Sequence, residues 1–313
     1  MPRYDPAVTR RLKVGVQLPE VEREVRWPEL IDMTRAIEDL GYDSVWVGEH
    51  LLYRWQDRPA RGPWEAWAVL AAIAAATSRI ELGPLVACTA FHNPAILAKR
   101  ADTIDEISGG RFVLGLGAGW NETEFRAFGV PFDHRIARFE EAFTIIRTLL
   151  RDGAVDFDGT YYQARDCELL PRGPRPHGPP LMIGSIGERM LRVTAPFVDA
   201  WNAWFANTGN RPAGVAALRE KVDGACREAG REPGSIERTV AVHVRMPGGT
   251  GRTMGDASVA EAIRPLEGSP EAMAGELLAY AAEGISHVQL VVDPITRGSI
   301  EGIAPVLRLL ETA

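Results

Sequence analysis

Apolar and polar positions along the 313-residue chain fall into two alternating kinds of pattern. Short apolar runs, such as those at 12–18 and 44–47, are typical of strands that are buried on both faces. Between such runs, apolar side chains recur every three or four positions, as they do from Trp27 to Leu40, which is the period of an amphipathic helix. The pattern therefore predicts a regular alternation of strands and helices.

Eight strand–helix pairs follow from this alternation. The predicted strands are 12–18, 44–47, 80–87, 111–116, 180–185, 200–204, 238–245 and 287–292. The predicted helices are 27–40, 64–77, 93–107, 134–150, 187–198, 212–229, 270–283 and 299–310. Eight such pairs predict an α/β fold of the (β/α)8 barrel type, a TIM barrel, that takes up residues 1–313 as a single domain.

A doubly wound parallel sheet is the alternative architecture. It would have about six strands and a glycine-rich phosphate-binding turn after its first strand. The corresponding turn here, 19–26, contains no glycine. Both the number of strands and this turn favour the barrel.

The alternation is interrupted between the fourth helix and the fifth strand. Residues 155–169 alternate around Asp158-Gly159, a pair typical of a two-residue hairpin turn, and residues 170–180 contain five prolines. We therefore predict that a hairpin and an extended, proline-rich connection are inserted here. A further irregular stretch, 247–256, holds four glycines and is predicted to be a mobile loop.

Charge, cysteine content and hydropathy indicate which partners and which cellular compartment to expect. The formal net charge of −7 and the lack of a basic tract argue against nucleic acid as a partner. Cys88, Cys167 and Cys226 show no CxxC spacing, which is typical of reduced thiols in the cytoplasm. The first residues lack the apolar core of a signal peptide, and the most apolar run, 66–77, is far shorter than the ~20 residues that span a bilayer. We expect a cytoplasmic protein that has no membrane segment.

The stretch 108–132, SGGRFVLGLGAGWNETEFRAFGVPF, has an unusual glycine pattern. Gly115, Gly117 and Gly119 occupy every second position of a predicted strand and therefore share one face. Either this bare backbone admits a flat or anionic group, or the strand is simply tightly packed. The motif GLGAGW is not a dinucleotide-binding GxGxxG motif, because Trp120 stands at the last glycine position.

Candidate chemistry lies at the carboxyl ends of the predicted strands, where barrels of this type carry their active sites. His50 follows the second strand and has an imidazole that exchanges protons near neutral pH; holding the loop in place is its alternative role. Residues 183–187 lead into a helix whose free N–H groups suit a phosphate, unless they form an ordinary helix start. Further candidates are Gln17, Glu49, 86–90, 118–121, Trp201, Asn202 and His243.

Two other kinds of site lack support in the sequence. The histidines at 50, 92, 134, 177, 243 and 287 form no HxH or HExxH pair, so we predict no metal site. There is also no GxSxG turn and no local Cys–His signature of a nucleophilic hydrolase.

Five segments carry a recognisable family pattern: LGYDSVWVGEH (40–50), the stretch 82–132, FEEAFTIIRTLL (139–150), FDGTYYQ (157–163) and IGSIGERMLRVTAPFVDAWN (183–202). Together they resemble the luciferase-like monooxygenase family, whose members are (β/α)8 barrels of the bacterial luciferase type. Within that family, the sequence is most similar to the branch that depends on the deazaflavin coenzyme F420.

The resemblance implies an oxidoreductase that transfers a hydride between coenzyme F420 and a small organic substrate. The alternatives are a monooxygenase that uses reduced FMN and dioxygen, and a flavin-binding barrel without enzymatic activity. Trp120 stands where the sugar-phosphate dehydrogenase branch has a catalytic glutamate, so glucose 6-phosphate is not the expected substrate. The dimers of the family imply a homodimer.

The resemblance also implies roles for individual residues. His50 matches a histidine near the redox carbon, and Glu49 matches an acidic position that is aspartate in many relatives, so both are expected to be catalytic. A non-prolyl cis peptide bond behind the ring is expected at Leu85-Val86, and a phosphate-holding pair at Gly184-Ser185. The expected cofactor-binding residues are Leu85, Val86, Cys88, Ala118, Gly119, Asn121, Gly184, Ser185 and Gly187.

Overall fold

Aliphatic and β-branched runs form the strands of a parallel barrel in the computed structural model, which describes residues 10–55, 59–250 and 263–311. Within these residues the strands are β1 (Lys13–Gln17), β2 (Ser44–Val47), β3 (Glu81–Pro84), β4 (Ala87–Cys88), β5 (Leu114–Gly117), β6 (Ala154–Asp158), β7 (Gln163–Glu168), β8 (Leu181–Ile183), β9 (Ala200–Ala203), β10 (Glu237–Arg245) and β11 (His287–Asp293). Nine of them form the barrel, and β6 and β7 form a separate hairpin.

The helices pack around the barrel and alternate with its strands. They are α1 (Trp27–Asp39), α2 (Ala66–Ala76), α3 (Pro94–Ser108), α4 (Glu122–Phe128), α5 (Arg135–Asp152), α6 (Glu188–Thr194), α7 (Phe205–Thr208), α8 (Val215–Glu228), α9 (Pro270–Ala282) and α10 (Arg297–Glu311). Side-chain oxygens of Asn93 and Ser269 accept backbone N–H bonds at the starts of α3 and α9. No helix in the described ranges is long and apolar enough to cross a membrane.

The barrel strands run parallel in the order β3-β2-β1-β11-β10-β9-β8-β5-β4. Val16 of β1 pairs with Val45 on one side and with Leu290 on the other. The ring closes where Leu82 of β3 pairs in parallel with Phe112, just before β5. The predicted (β/α)8 barrel is therefore confirmed, and the doubly wound alternative is wrong.

The third predicted strand, 80–87, is interrupted. β3 pairs with β2, whereas β4 pairs with β5 on the other side. Between them the Leu85–Val86 peptide bond is cis, as the family resemblance led us to expect. The Leu85 N–H group donates to the carbonyl of Val47 at 2.9 Å, so the resulting bulge stays attached to β2.

A small polar cluster lies inside the barrel among aliphatic side chains. The Ser44 hydroxyl accepts a hydrogen bond from Trp46 Nε1 at 2.7 Å and lies 2.7 Å from Nε2 of His287. Burial, helped by the charge of Lys13, lowers the pKa of His287 to about 3. His287 is therefore neutral at physiological pH, and it packs at the amino end of β11.

The hairpin is inserted between α5 and β8 as predicted, but its turn is longer than predicted. β6 and β7 are antiparallel with Asp158 opposite Gln163, so residues 159–162 form a four-residue loop. The carboxylate of Glu141 on α5 accepts the N–H groups of residues 160–162 at 2.8, 2.8 and 2.9 Å. These contacts with a distant helix stabilise the wider loop, which the local Asp-Gly pair does not reveal.

Two of the predicted helices differ in extent from those in the structure. The helix predicted over 187–198 ends at Thr194, and the helix predicted over 64–77 begins at Ala66, where the Glu65 side chain caps it. The short helices α4 and α7 are not among the eight predicted. The predicted mobile loop, 247–256, lies largely outside the described residues.

Candidate active site

A cavity of about 650 Å³ opens at the carboxyl end of the barrel. Most of its described wall comes from β4 itself and from the segments that follow β1, β2, β3, β5, β8 and β9. Residues as distant in the sequence as His50 and Gly187 share this site, because parallel strands end at one rim. The structure brings ten of the eleven predicted site residues together in this wall: Glu49, His50, Leu85, Val86, Cys88, Ala118, Gly119, Gly184, Ser185 and Gly187.

Asn121 is the predicted residue that the structure does not bring to the described wall. Its side-chain amide donates to the carbonyl of Leu52 at 3.0 Å, which ties the start of α4 to the loop after β2. A contact between Asn121 and the cofactor therefore remains a prediction that the position of its side chain does not support. Gln17, Trp201 and His243, also candidates from the sequence, are likewise not among the described wall residues.

His50 pairs with a carboxylate that the sequence analysis missed. Its Nδ1 atom lies 2.9 Å from Oε1 of Glu124, whose side chain is 1% exposed. The other oxygen of Glu124 accepts the backbone N–H of Leu51 at 2.8 Å. Because a carboxylate only accepts hydrogen bonds, Nδ1 carries a proton, and Nε2 is the nitrogen left for proton exchange.

The surrounding carboxylates favour the charged form of His50. Burial by itself would lower the pKa of His50, but the hydrogen bond to Glu124 and the charges of Glu20, Glu124 and Glu49 outweigh burial and raise that pKa above 6.5. At any given pH, the imidazolium form of His50 is therefore more populated than that of an ordinary histidine. A charged His50 is able to donate a proton into the cavity.

Glu49 is held by three hydrogen-bond donors. Its Oε1 atom accepts from Trp67 Nε1 at 2.6 Å and lies 2.8 Å from Nε2 of His92, and its Oε2 atom accepts the backbone N–H of Cys88 at 2.7 Å. With both oxygens engaged, Glu49 fixes the segment that follows the bulge. This arrangement favours a positioning role over the catalytic role that we predicted.

The tautomer of His92 follows from its second contact. Nδ1 of His92 lies 3.1 Å from the guanidinium of Arg100, which only donates hydrogen bonds. Nδ1 is therefore the acceptor, and Nε2 carries the proton that is donated to Glu49. Through His92, the charge of Arg100 stabilises the buried carboxylate of Glu49.

The position of the Val86 side chain helps to explain why glycine occurs in β5 and directly after β8. A Cβ atom at Gly117 would lie 2.9 Å from a Val86 methyl group, and a Cβ atom at Gly184 would also lie 2.9 Å from one. At Gly115 a Val86 methyl group would lie 3.0 Å away, but the carbonyl oxygen of Pro84 would be nearer, at 2.3 Å. The backbone that we expected to be bare is therefore covered by Val86, which itself lines the cavity.

Cys88 and Gly119 pack against each other. A Cβ atom at Gly119 would lie 2.6 Å from Sγ of Cys88, and Gly119 has a φ of +76°, which favours glycine. Burial and the charge of Glu49 raise the pKa of the Cys88 thiol. Cys88 therefore remains a neutral thiol and is not a nucleophile.

Gly184–Gly187, between β8 and α6, makes a further part of the wall. The Gly187 N–H group donates to Oγ of Ser185 at 3.3 Å, and the Ser185 carbonyl accepts from Trp201 Nε1 at 2.7 Å. Small side chains and a fixed backbone suit this segment to a phosphate, although none of its own side chains is positively charged.

Glu124 could not be recognised from its local pattern. The segment NETEF indicates only a helix start, in which acidic residues are common near the first turn. Its functional contact is with His50, 74 positions earlier. Glu20, another wall residue that was missed, follows β1 in a segment without any motif.

Known proteins similar in sequence carry the same family pattern. The model of the luciferase-like monooxygenase family matches residues 11–247. An F420-dependent glucose-6-phosphate dehydrogenase from Intrasporangium calvum is 37% identical over 179 residues, which cover 55% of this chain and 52% of that protein. Pyrimidine monooxygenase RutA from Cronobacter sakazakii is 34% identical over 176 residues, which cover 55% of this chain and 51% of that protein. The matched region thus spans about half the length of these relatives.

A solved structure shares the fold over nearly the whole chain. It is an F420-dependent secondary alcohol dehydrogenase in complex with an F420-acetone adduct, with a TM-score of 0.80 and 20% sequence identity. The likeness covers 96% of this chain and 99% of that one. It supports the barrel architecture described above.

Proposed function

Because this chain belongs to the luciferase-like monooxygenase family, we propose that it is a coenzyme F420-dependent oxidoreductase. In the proposed reaction a hydride moves between the deazaflavin and a small organic substrate, and His50 moves the accompanying proton. The observation that carries the proposal is the pairing of His50 with Glu124 in the cavity wall. The F420-dependent relative supports the choice of cofactor.

The wall fits a flat cofactor with a phosphate-bearing tail. Val86 offers an apolar surface, and Ala118 and Gly119 add little bulk beside it. Gly184–Gly187 would hold the phosphate through backbone N–H groups and the Ser185 hydroxyl. The fit to such a cofactor thus depends on the shape of the cavity and on backbone N–H groups.

His50 would act as the proton donor when a carbonyl substrate is reduced. The deazaflavin, when bound, supplies the carbon that gives or accepts the hydride. Nε2 of His50 would give its proton to the substrate oxygen, and the same atom would take the proton back in the direction of alcohol oxidation. Glu124 holds the ring through Nδ1 and stabilises its charged form throughout.

Glu49, itself part of the wall, would set the position of the cofactor by holding the neighbouring wall segment. Its contact with the Cys88 N–H group fixes the segment between the bulge and α3. Positioning of this kind contributes to the rate because small displacements of a reacting group are costly.

Difference absorbance spectroscopy tests the cofactor assignment. We expect the purified chain to bind oxidised F420 and to bind FMN more weakly. His50→Gln should retain the affinity for F420 but lose about 10²- to 10⁴-fold in turnover, the usual contribution of general acid catalysis. His134→Gln, at an exposed position, is the matched control and should behave like the wild type.

The alternative activity is that of a monooxygenase using reduced FMN and dioxygen. Tight FMN binding, oxygen-dependent turnover and no affinity for F420 would establish it and overturn our proposal. A chain that binds the cofactor without any turnover, and in which changing His50 alters no measurable property, would instead be a non-enzymatic flavin-binding barrel.

A further inference from the structure

Asn202 is a polar wall residue to which the proposed function gives no role. It lies inside β9, whereas most of the other wall residues follow the end of a strand. Its side chain is directed into the barrel, where it contacts side chains of β10 and β11, and the residue is only 4% exposed. We call the side-chain amide of Asn202 the floor amide, because it lines the cavity from within the barrel.

Both amide protons of Asn202 are used inside the barrel. Nδ2 lies 2.7 Å from Oγ1 of Thr239 and 2.8 Å from Oε1 of Gln289. The Thr239 hydroxyl in turn donates to the sulfur of Met182 at 3.7 Å. Because a thioether only accepts hydrogen bonds, Thr239 accepts the hydrogen bond from Asn202, and Nδ2 is the donor in both contacts.

The carbonyl oxygen of the floor amide is left without a donor. Within the described ranges no residue donates a hydrogen bond to Oδ1 of Asn202, and this atom is not one of the polar atoms that are both unpartnered and sealed from solvent. Since Asn202 lines the cavity, Oδ1 is open to it. The floor amide is therefore an uncharged hydrogen-bond acceptor, held in place by two contacts behind it.

A ligand that covers this oxygen removes it from water. A buried acceptor without a donor costs free energy, whereas an N–H or O–H group on the ligand would restore the hydrogen bond. Sites built around such a contact reject analogues that lack the hydrogen-bonding group. The floor amide is thus suited to select among ligands of the same size and shape.

We propose that Asn202 is a specificity-determining residue, which binds an uncharged N–H or O–H group of the ligand from within the barrel. The deazaflavin ring carries such a group, an imide N–H between two carbonyls, and a substrate with a hydroxyl or amide group carries another. The assignment of the donor to cofactor or substrate rests on the proposed function. The preference for a donor is a property of the cavity itself and can be measured without cofactor.

Two uncharged, planar compounds of the same shape test this preference. 2-Quinolinone has a ring N–H where coumarin has a ring oxygen. Each compound is titrated into the full chain without cofactor, and binding is followed by ligand-observed NMR. We expect 2-quinolinone to bind at least about threefold more tightly, as the net gain from one hydrogen bond predicts. Equal affinities, tighter binding of coumarin, or no binding of either compound up to its solubility would overturn the inference.

A variant without the acceptor locates the preference. Asn202→Leu keeps the approximate size of the side chain and should abolish the preference for 2-quinolinone. The matched control is Asn207→Asp, which changes an exposed amide of the same wall and should leave the preference intact. A preference that survives Asn202→Leu would contradict the role given to Asn202. If Asn202→Leu does not fold, the comparison of the two compounds on the wild type still decides.

Hydrogen exchange measures the orientation of the floor amide in the wild type. The NH₂ protons of Asn202 should exchange slowly with water, because both are bonded inside the barrel. Turning the amides of Asn202 and Gln289 together would direct the NH₂ group at the cavity. It would also give an acceptor to Nε2 of Gln289, which is buried without a partner among the described residues. Fast exchange of the Asn202 protons would reveal that arrangement and overturn the inference.

Coenzyme F420 distinguishes the two sources of the donor. If the donor is the imide N–H, Asn202→Leu weakens F420 binding, and the F420-saturated chain no longer prefers 2-quinolinone. If the donor belongs to the substrate, the affinity for F420 is unchanged and the saturated chain keeps its preference. Failure to bind F420 would overturn only the proposed function, because the comparison of 2-quinolinone with coumarin needs no cofactor.

Discussion

Nδ1 of His50 lies 2.9 Å from Oε1 of Glu124, and this contact joins the loop after β2 to the first turn of α4. The pair combines a group that can donate a proton with a carboxylate that raises the pKa of that group. Since Glu124 also accepts the N–H of Leu51, it holds both the ring and the backbone next to it. Proton transfer and loop position therefore depend on the same carboxylate.

Removing the charge of Glu124 should lower the pKa of His50. Glu124→Gln keeps the size of the side chain but loses its attraction for the imidazolium. We expect the alkaline limb of the pH profile of kcat/KM to move to lower pH by about one unit or more. Titration of the His50 ring by NMR measures the same change without substrate.

Glu122→Gln is the matched control, because Glu122 lies in the same turn of α4 and is exposed. It should leave the titration of His50 unchanged. Identical titration curves for the wild type and Glu124→Gln would contradict the role given to Glu124.

The raised pKa of His50 also predicts a pH dependence of stability. Its pKa in the folded protein exceeds the ordinary value of 6.5. Protonated His50 therefore stabilises the folded protein fully when the pH is below 6.5, and this stabilisation is lost as the pH rises through the pKa of His50 in the folded protein. Urea unfolding of the wild type and His50→Gln should show a difference in unfolding free energy that shrinks as the pH rises. A difference that grows with pH would be the opposite of this expectation.

Glu49→Gln should destabilise the protein. An amide offers one oxygen where the carboxylate has two, so its NH₂ group would face a buried donor, either at Cys88 or at Trp67 and His92. We expect a loss of about 1–3 kcal/mol in the free energy of unfolding, measured with urea at pH 7. The control is Glu228→Gln, at an exposed position, which should change the free energy of unfolding by less than about 0.5 kcal/mol.

A double-mutant cycle tests the packing of Val86 against glycine. Gly184→Ala would place a Cβ atom 2.9 Å from a Val86 methyl group, so we expect it to cost about 1–3 kcal/mol of stability. Val86→Ala removes that methyl group, and the double variant should recover part of the loss. A coupling free energy below about 0.5 kcal/mol would show that the contact is not the cause.

Gly275→Ala is the matched control for this cycle. A Cβ atom at Gly275 would meet nothing within 4 Å, and the residue lies inside α9. Because alanine favours helix, this variant should be slightly more stable than the wild type.

The sequence predicted the barrel from short-range patterns, whereas most of the candidate site residues came from the family resemblance. Alternating strands and helices are visible in local periodicity, and His50 and Gly184 stand at strand ends that any barrel brings together. Glu124 and Arg100 act through partners that are distant in the chain, and no local pattern marks such contacts. The sequence also did not reveal why Gly115 and Gly117 are glycines, because the Val86 side chain that packs over them lies in the bulge between β3 and β4.

The packing around Val86 also restricts how this chain can change. Gly115, Gly117 and Gly184 already have the smallest side chain available, so none of them can shrink to make room for a larger residue at position 86. Substitution there is open only towards alanine or glycine unless the backbone moves. A single substitution of Val86 by a smaller residue can therefore widen the cavity at this wall. A larger residue at position 86 would narrow it only if several strands shifted together.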